Sequence, residues 1–376
     1  MSGKIQMLDL RAQYLSIKEE IDTAMASVVD SCKFINGPQV EQFAKALEEY
    51  SGAGHVIPCA NGTDALQIAL MGLGLEKGDE VIVPAFTYVA TAEVIALLGL
   101  VPVMADVDPG SFCLRLEDII PAVTPRTKAI VPVHLFGQCA DMEPILEWAA
   151  PRGIAVVEDN AQSLGARYSF SDGRIAHAGT MGTIGCISFF PTKPLGCYGD
   201  GGALMCNDDE LAQRLKMIAS HGQRIKYHHE IVGCNSRLDT LQAAVGLAKL
   251  PHLDSWNKAR AAVAERYRQQ LSDIDGIILP ARSAKSTHVY HQYTIRVRDG
   301  RRDALKEHLA AAGIASMIYY PLPLQEQKAF APIARAAGSL GNSARLCAEV
   351  LSLPICPELS SEAQDRICEQ IRSFFK

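Results

Sequence analysis

After residue 50, short runs rich in valine and isoleucine alternate with helical stretches, and this alternation restricts the fold more than any other feature of the chain. Continuous apolar runs are typical of strands buried on both faces, as in a mostly parallel sheet covered by helices. Strands are predicted at 81–84, 101–107, 129–134, 154–158, 186–190 and 203–206, and helices at 63–73, 88–98, 142–150 and 208–219. The sequence therefore predicts an α/β fold around a mostly parallel sheet.

The flanking regions predict an N-terminal helical segment and a second, smaller lobe. Apolar residues recur every three or four positions across 9–31, and Pro38 opens another helix that runs to about residue 50. The second lobe would hold helices at 254–274 and 303–312, strands at 290–297 and 316–320, and two further helices. We therefore predict a large α/β domain over 1–250, whose last helix is 237–250, and a small α+β domain over 251–376.

Composition excludes several classes of function. The net charge of -6 argues against a nucleic-acid partner, which usually requires a basic face. No signal peptide is visible, and no apolar run reaches the length of a membrane span. The 11 cysteines are scattered without a C-x-x-C pair, which indicates reduced thiols rather than disulfides or a zinc site. These features predict a cytoplasmic protein without a metal, a membrane or a nucleic acid.

One lysine has the surroundings of a reactive amine. Lys193 lies between Pro191 and Pro194, five residues after Ser188, and a glycine-rich stretch follows it. Glycine lets the backbone approach a bound group closely, and a lysine in a compact, desolvated turn can lose its proton and form a Schiff base. A solvated lysine in an ordinary loop between two strands explains this stretch equally well when it is taken alone.

The segment Asn61-Gly62-Thr63 lies where a loop enters a predicted helix. The free N–H groups at a helix start form an anion site. Taken alone, this segment is better explained as a plain N-cap by Asn61 or Thr63.

Two further residues follow predicted strands, at the sheet edge where ligands gather. The ring of Tyr88 could stack on a flat ligand, although an isolated aromatic residue more often belongs to the core. Asp159 ends a buried strand, where a carboxylate needs a cation such as a protonated pyridine nitrogen. A capping role for Asp159 is the competing interpretation.

Together these features supply what pyridoxal 5'-phosphate requires: an anion site, a stacking ring, a buried acid, a serine and a lysine. The sequence resembles the DegT/DnrJ/EryC1/StrS sugar aminotransferases over nearly its whole length, which implies the aspartate aminotransferase fold (fold type I). The matching motifs are Asn61-Gly-Thr-Asp-Ala-Leu66, Thr87-Tyr88, Glu158-Asp159, Ser188-Phe-Phe-Pro-Thr-Lys193, Tyr198-Gly-Asp-Gly-Gly202 and Asn235-Ser-Arg-Leu-Asp239.

The resemblance also implies a role for each cofactor-binding residue. Lys193 would carry the cofactor and move the proton during transfer, which would make it the catalytic residue. The other implied contacts are Asp159 at the ring nitrogen, Gln162 beside the ring hydroxyl, Tyr88 on the ring face, and Gly62, Thr63 and Ser188 at the phosphate. Asn235 would reach the phosphate of the neighbouring subunit, which implies a homodimer with its sites at the subunit interface.

Within the family, the chain is most similar to enzymes that use L-glutamate to aminate UDP-2-acetamido-2-deoxy-3-oxo-glucuronate for lipopolysaccharide O-antigen and other surface polysaccharides. The segments 188–203, 221–223, 227–229 and 235–244 carry this likeness. Arg237 would then pair with a carboxylate of the sugar or of glutamate, unless it is a surface residue at a helix start. The basic loop 223–229 could meet the diphosphate of the substrate or simply be a solvated loop.

The chain departs from that subgroup mainly where the sugar should lie. The substrate-binding candidates at departing positions are Cys32, Phe34, Thr192, Tyr319 and Tyr320, and Asn160 departs beside Asp159. An aminotransferase acting on a 4-keto or another 3-keto nucleotide sugar is therefore an alternative. A non-catalytic regulatory protein with the same fold is a further alternative, which the presence of both Lys193 and Asp159 disfavours.

Overall fold

The structure is a computed structural model that describes residues 3–376. Its strands are β1 (His55–Cys59), β2 (Glu80–Pro84), β3 (Val101–Ala105), β4 (Thr127–Ile130), β5 (Ala155–Asp159), β6 (Arg167–Ser169), β7 (Ile175–His177), β8 (Ile184–Ser188), β9 (Gly202–Cys206), β10 (Gln223–Ile225), β11 (His228–His229), β12 (Ile277–Ile278), β13 (Tyr293–Val297), β14 (Arg335–Ala336) and β15 (Val350–Leu353).

The α-helices are α1 (Leu10–Ser16), α2 (Lys18–Ser31), α3 (Pro38–Ser51), α4 (Gly62–Gly72), α5 (Ala90–Leu97), α6 (Leu116–Ile119), α7 (Met142–Ala149), α8 (Asp209–Ala219), α9 (Thr240–Lys249), α10 (Leu253–Leu271), α11 (Arg302–Ala311), α12 (Gly341–Glu349) and α13 (Ser361–Phe375).

The central sheet has eight strands in the order β1-β9-β8-β5-β4-β2-β3-β14. Strands β8, β5, β4, β2, β3 and β14 run parallel. Strand β9 is antiparallel to both of its neighbours, β8 and β1, so the edge strand β1 runs in the same direction as the six parallel strands. Both faces are covered, since Val81 and Val83 of β2 belong to one apolar cluster and Ile82 to another. The predicted α/β class with a mostly parallel sheet is confirmed.

The smaller lobe is built on the antiparallel sheet β12-β13-β15, and its core includes residues of α10, α11 and α13. The N-terminal segment joins this lobe, because Ile5 N donates to Gly313 O at 2.9 Å and Ile355 N donates to Met7 O at 3.0 Å. In the other direction, β14 pairs with β3 and completes the central sheet. Residues from the predicted large domain thus pack on the small lobe, and β14 from the predicted small domain joins the central sheet. The domain boundary near residue 250 stays a prediction.

Several local predictions differ from the structure. The strand predicted at 316–320 does not form beyond a single bridge at Met317, and Pro321, which follows, lacks an N–H for a ladder. The predicted helix over 9–31 is two helices, α1 and α2, that meet at the non-helical Ile17. Strand β1 was missed because Pro58 lies within it, which is tolerated at a sheet edge.

Candidate active site

The carboxyl ends of the parallel strands bring the predicted residues to one edge of the sheet. Asp159 is the last residue of β5 and Ser188 the last residue of β8, its parallel neighbour. Tyr88 lies four residues past the end of β2. The turn after β8 carries Lys193, whose N–H donates to Phe190 O at 2.8 Å.

The start of α4 forms an open cradle. Asn61 caps the helix by accepting from Asp64 N at 2.8 Å, so the expected N-cap is present, but the N–H groups of Gly62 and Thr63 remain at the open end. A Cβ on Gly62 would lie 2.7 Å from Ser188 Cβ. A Cβ on Gly202 would lie 2.4 Å from Asn61 O. These two glycines let the strands approach the helix start, where the two N–H groups and Ser188 could hold a phosphate together.

Asp159 is a buried carboxylate without a cation in contact. Its side chain accepts from Thr91 Oγ1 at 2.9 Å and from Ala161 N at 3.2 Å. Burial raises the pKa of Asp159, and these two bonds and the charge of Lys193 oppose that rise only in part. No ion pair to Asp159 forms within residues 3–376. A protonated ring nitrogen would provide the missing charge, so this acid fits the cofactor.

Lys193 has the state that a nucleophilic amine requires. The residue as a whole is half-buried, but its amine lies in the interior. Burial lowers the pKa of Lys193 to about 8, against the opposing charge of Asp159. The neutral fraction of this amine near neutral pH is therefore larger than that of an exposed lysine, and the neutral form can attack an aldehyde.

A cleft at this edge of the sheet, beside Asp159 and Lys193, is lined on one side by Gln162, Tyr88 and Tyr320. Gln162 Oε1 accepts from Phe136 N at 2.8 Å, and its Nε2 donates to the Tyr320 hydroxyl at 3.3 Å. The rings of Tyr88 and Tyr320 are 6.2 Å apart, and Tyr88 is 56% exposed. Tyr88 is therefore a ring open to a ligand rather than a core residue.

The other substrate candidates divide between this cleft and a separate location. Thr192 precedes Lys193 in its turn, and the Tyr319 ring lies 6.1 Å from that of Tyr320. Cys32 and Phe34 lie instead beside the start of α9, where Thr240 N donates to Phe34 O at 3.0 Å.

Arg237 and Asn235 precede α9 and belong with this second group. Asn235 is exposed, and Arg237 is half-buried without a carboxylate in ion-pair range within residues 3–376. In that part of the chain, no hydrogen bond joins either side chain to Lys193 or Asp159. One subunit thus brings Asp159 and Ser188 to one edge of the sheet. The segment that carries Asn235 and Arg237 contacts the loop before α4, where Ala60 N donates to Ser236 Oγ at 3.0 Å.

Sequence reasoning missed three supporting residues. Thr91, in the first turn of α5, donates to Asp159, and its hydroxyl also contacts that of Thr87 in the loop before the helix. Glu158 is fully buried and accepts from His134 Nε2 at 2.7 Å. His291, from the small lobe, is buried with no partner for Nδ1 within residues 3–376. Burial and, after it, the charge of Lys193 hold the pKa of His291 well below its usual range.

Three further observations concern other classes of site. Residues 3–376 contain no group of three or more His, Cys, Asp or Glu side chains arranged to hold a metal ion. Over the same residues, no helix has the length and apolarity needed to cross a membrane. The 11 cysteines are free thiols, and ten of them are buried or half-buried.

The fold and this site define a pyridoxal-phosphate-dependent aminotransferase of fold type I. The chain belongs to the DegT/DnrJ/EryC1/StrS aminotransferase family, whose profile matches residues 15–372.

Relatives and solved structures agree with this assignment. The chain is 46% identical to a UDP-2-acetamido-2-deoxy-3-oxo-D-glucuronate aminotransferase of Pseudomonas aeruginosa, over 97% of this chain and 98% of that protein. It is 45% identical to a pleiotropic regulatory protein of Geobacillus stearothermophilus, over 99% of both chains. It is 43% identical to a UDP-N-acetyl-3-dehydro-alpha-D-glucosamine 3-aminotransferase of Acidithiobacillus ferrooxidans, over 98% of this chain and 97% of that protein.

Two solved structures match along the length of the chain. A family aminotransferase from Brucella abortus has a TM-score of 0.94 at 43% identity and covers 99% of both chains. A Bacillus subtilis protein solved with the cofactor PMP has a TM-score of 0.90 at 33% identity, over 100% of this chain and 86% of that one. The predicted fold, enzyme class and cofactor are confirmed.

Proposed function

We propose that this enzyme moves the amino group of L-glutamate to the C3 keto group of a nucleotide-linked sugar, UDP-2-acetamido-2-deoxy-3-oxo-glucuronate, for a bacterial surface polysaccharide. The observation that carries the proposal is the 46% identity, over 97% of the chain, to a protein named for that substrate. A second UDP-sugar relative is also named for amination at C3. Arg237, which has no ion-pair partner in the described chain, suits the carboxylate of the sugar or of glutamate.

The residues of the cleft divide the work between them. Pyridoxal phosphate, when bound, acts as the electron sink that makes amine transfer possible. The Lys193 amine would hold the cofactor covalently and carry a proton at the reacting carbon. Asp159, which accepts from Thr91, would keep the ring nitrogen protonated. The start of α4 and Ser188 would hold the phosphate, while Tyr88 and Gln162 would position the ring.

The proposal includes a cytoplasmic homodimer in which the second group serves the partner's site. Asn235, Arg237, Cys32 and Phe34 would face the cofactor of the other subunit. Large apolar side chains near this group or on the β10–β11 hairpin support an interface, since they are exposed in the single chain: Phe34 44%, Ile35 51%, Ile225 65%, Tyr227 78% and Val232 85%. The free thiols support a reducing compartment.

The decisive experiment supplies the purified protein with glutamate and a panel of UDP- and dTDP-linked keto sugars, and reads the products by mass and NMR. An amine at C3 of the UDP-uronate sugar is expected. An amine at C4 would establish the 4-keto alternative. Binding of the cofactor without conversion of any keto sugar would overturn the proposal.

A regulatory role is a second candidate, carried by the name of the Geobacillus relative. It predicts that glutamate leaves the absorbance of the bound cofactor unchanged. An absorbance shift on adding glutamate, followed by its reversal with a keto sugar, would count for catalysis instead.

A further inference from the structure

A second buried lysine lies behind the turn that carries Lys193. Lys249 is the last residue of α9 and is 0% exposed. Its Nζ donates to Gly196 O at 2.6 Å and lies 4.3 Å from the centre of the Tyr198 ring. Within residues 3–376 no carboxylate pairs with it, which is unusual because burying an unpaired ammonium is costly.

Two backbone hydrogen bonds close the turn that carries Lys193. Cys197 N donates to Phe189 O at 2.7 Å, and Lys193 N donates to Phe190 O at 2.8 Å. The turn is also tight, since a Cβ on Gly196 would lie 2.2 Å from Pro191 O. The Gly196 carbonyl takes no part in these two bonds and accepts from the Lys249 amine instead.

We propose that Lys249 is a positioning residue for Lys193: its amine holds the Gly196 carbonyl and so fixes the turn that presents Lys193 to the cofactor. The inference rests on the proposed role of Lys193 as the residue that binds the cofactor. It assigns Lys249 no contact with the cofactor or the substrate.

Other observations agree with a role beyond packing. Burial lowers the pKa of Lys249 to about 8, with the Cys197 thiol opposing. Both the protonated and the neutral lysine amine carry N–H donors, so the hydrogen bond to Gly196 O is kept when Lys249 loses its proton. Helix α9 packs against α2 and α3, so Lys249 is carried by a well-supported element.

Lys249→Met tests the inference, because methionine has nearly the same length and shape but no donor. A buried charge replaced by an apolar side chain is often neutral or stabilising for the fold. We therefore expect the variant to keep or raise its Tm while the affinity of the apo-protein for pyridoxal phosphate falls about tenfold, since the Gly196 carbonyl loses its partner. Affinity is read from the visible absorbance of the bound cofactor during titration.

Two further variants make the result decisive. Lys249→Gln keeps a donor and should recover part of the affinity, while the exposed Lys258→Met on α10 should match the wild type. Wild-type affinity in Lys249→Met, or a loss of Tm without a loss of affinity in the folded protein, would overturn the inference. So would failure of both Lys249 variants to fold, because the amine would then serve the fold itself. The Lys193→Ala variant tests the proposed role of Lys193 separately, since it should abolish the absorbance band of the covalently bound cofactor, whereas the Lys249 variants should only weaken cofactor binding.

Discussion

Asp159 is buried, and burial disfavours its charged carboxylate form in the protein without cofactor. Its two hydrogen bonds do not offset the loss of solvation, and the pKa of the carboxyl is raised. Such strain is common at sites built to receive a charged partner. The stability of the protein without cofactor and the turnover rate with cofactor should therefore respond oppositely to the same substitution.

Asp159→Asn should raise the stability of the apo-protein at neutral pH by about 1 kcal/mol, or about 2 °C in Tm. A carboxyl with a raised pKa in the folded state destabilises folding once the pH exceeds the ordinary value, and fully so above the raised value. The difference in unfolding free energy between the variant and the wild type should therefore become smaller as the pH falls. Thermal unfolding across pH measures it, with the exposed Asp275→Asn as the control.

The same variant should bind pyridoxal phosphate and yet turn over at least about a hundredfold more slowly, because the neutral amide cannot keep the ring nitrogen charged. Initial rates at saturating cofactor measure this. A near-native rate would remove Asp159 from its proposed role.

Lys193→Ala should lose both turnover and covalent attachment of the cofactor, since no other amine in the cleft replaces it. Borohydride reduction followed by mass spectrometry should show added mass on the wild type and on the Lys258→Ala control, and none on Lys193→Ala. Fixed mass on that variant would show that another lysine is modified.

At the scale of elements, the phosphate cradle depends on how closely β8 and β9 approach the start of α4. Gly62→Ala should weaken cofactor binding by more than about tenfold, because the new methyl would lie 2.7 Å from Ser188 Cβ. Helix propensity alone predicts a small gain in stability from the same change, so the loss isolates the steric effect. Cofactor titration and Tm are the measurements.

Gly341→Ala is the matched control, since Gly341 also opens a helix but its nearest atom to a new Cβ is Ser339 Oγ at 3.4 Å. The Gly341→Ala variant should bind pyridoxal phosphate with the same affinity as the wild type. Equal effects of the two substitutions would argue against a cradle at α4.

Sequence predicted the parallel sheet and the positions of Asp159, Ser188 and Lys193, because neighbouring parallel strands must end at one edge. It did not predict Thr91 as the partner of Asp159, nor Lys249 and His291, since these contacts join segments that only the complete fold brings together. The failed strand at 316–320 has a similar cause. In the structure, Tyr320 of this segment contacts Gln162 and Phe86 instead of pairing in a sheet.

At the scale of the whole molecule, the proposed role of Asn235 at the partner's phosphate site predicts complementation between subunits. Neither Lys193→Ala nor Asn235→Ala alone should be fully active. Mixed after dissociation and reassociation, the two should regain activity, because the mixed dimer contains one site with Lys193 from one chain and Asn235 from the other. Activity of the mixture that does not exceed the sum of the separate variants would place Asn235 in its own subunit's site.

Light scattering of the wild type should give the mass of two chains, and Val232→Asp on the exposed edge of the hairpin region should shift the mass toward one. A monomer with full activity would remove the shared site. A dimer that Val232→Asp does not disturb would place the interface elsewhere.

The pairing of residues 5–7 with residues 313–315 and 355 also bears on how the protein is made. These first residues emerge from the ribosome roughly 300 residues before their partners, which at ordinary translation speeds is a delay of about 15–60 s. The central sheet gains its last strand, β14, equally late. During synthesis, the edge of the sheet at β3 and the backbone of residues 5–7 therefore stay unpaired until their partners are made. The yield of folded protein should accordingly depend on the speed of synthesis and on the supply of chaperones.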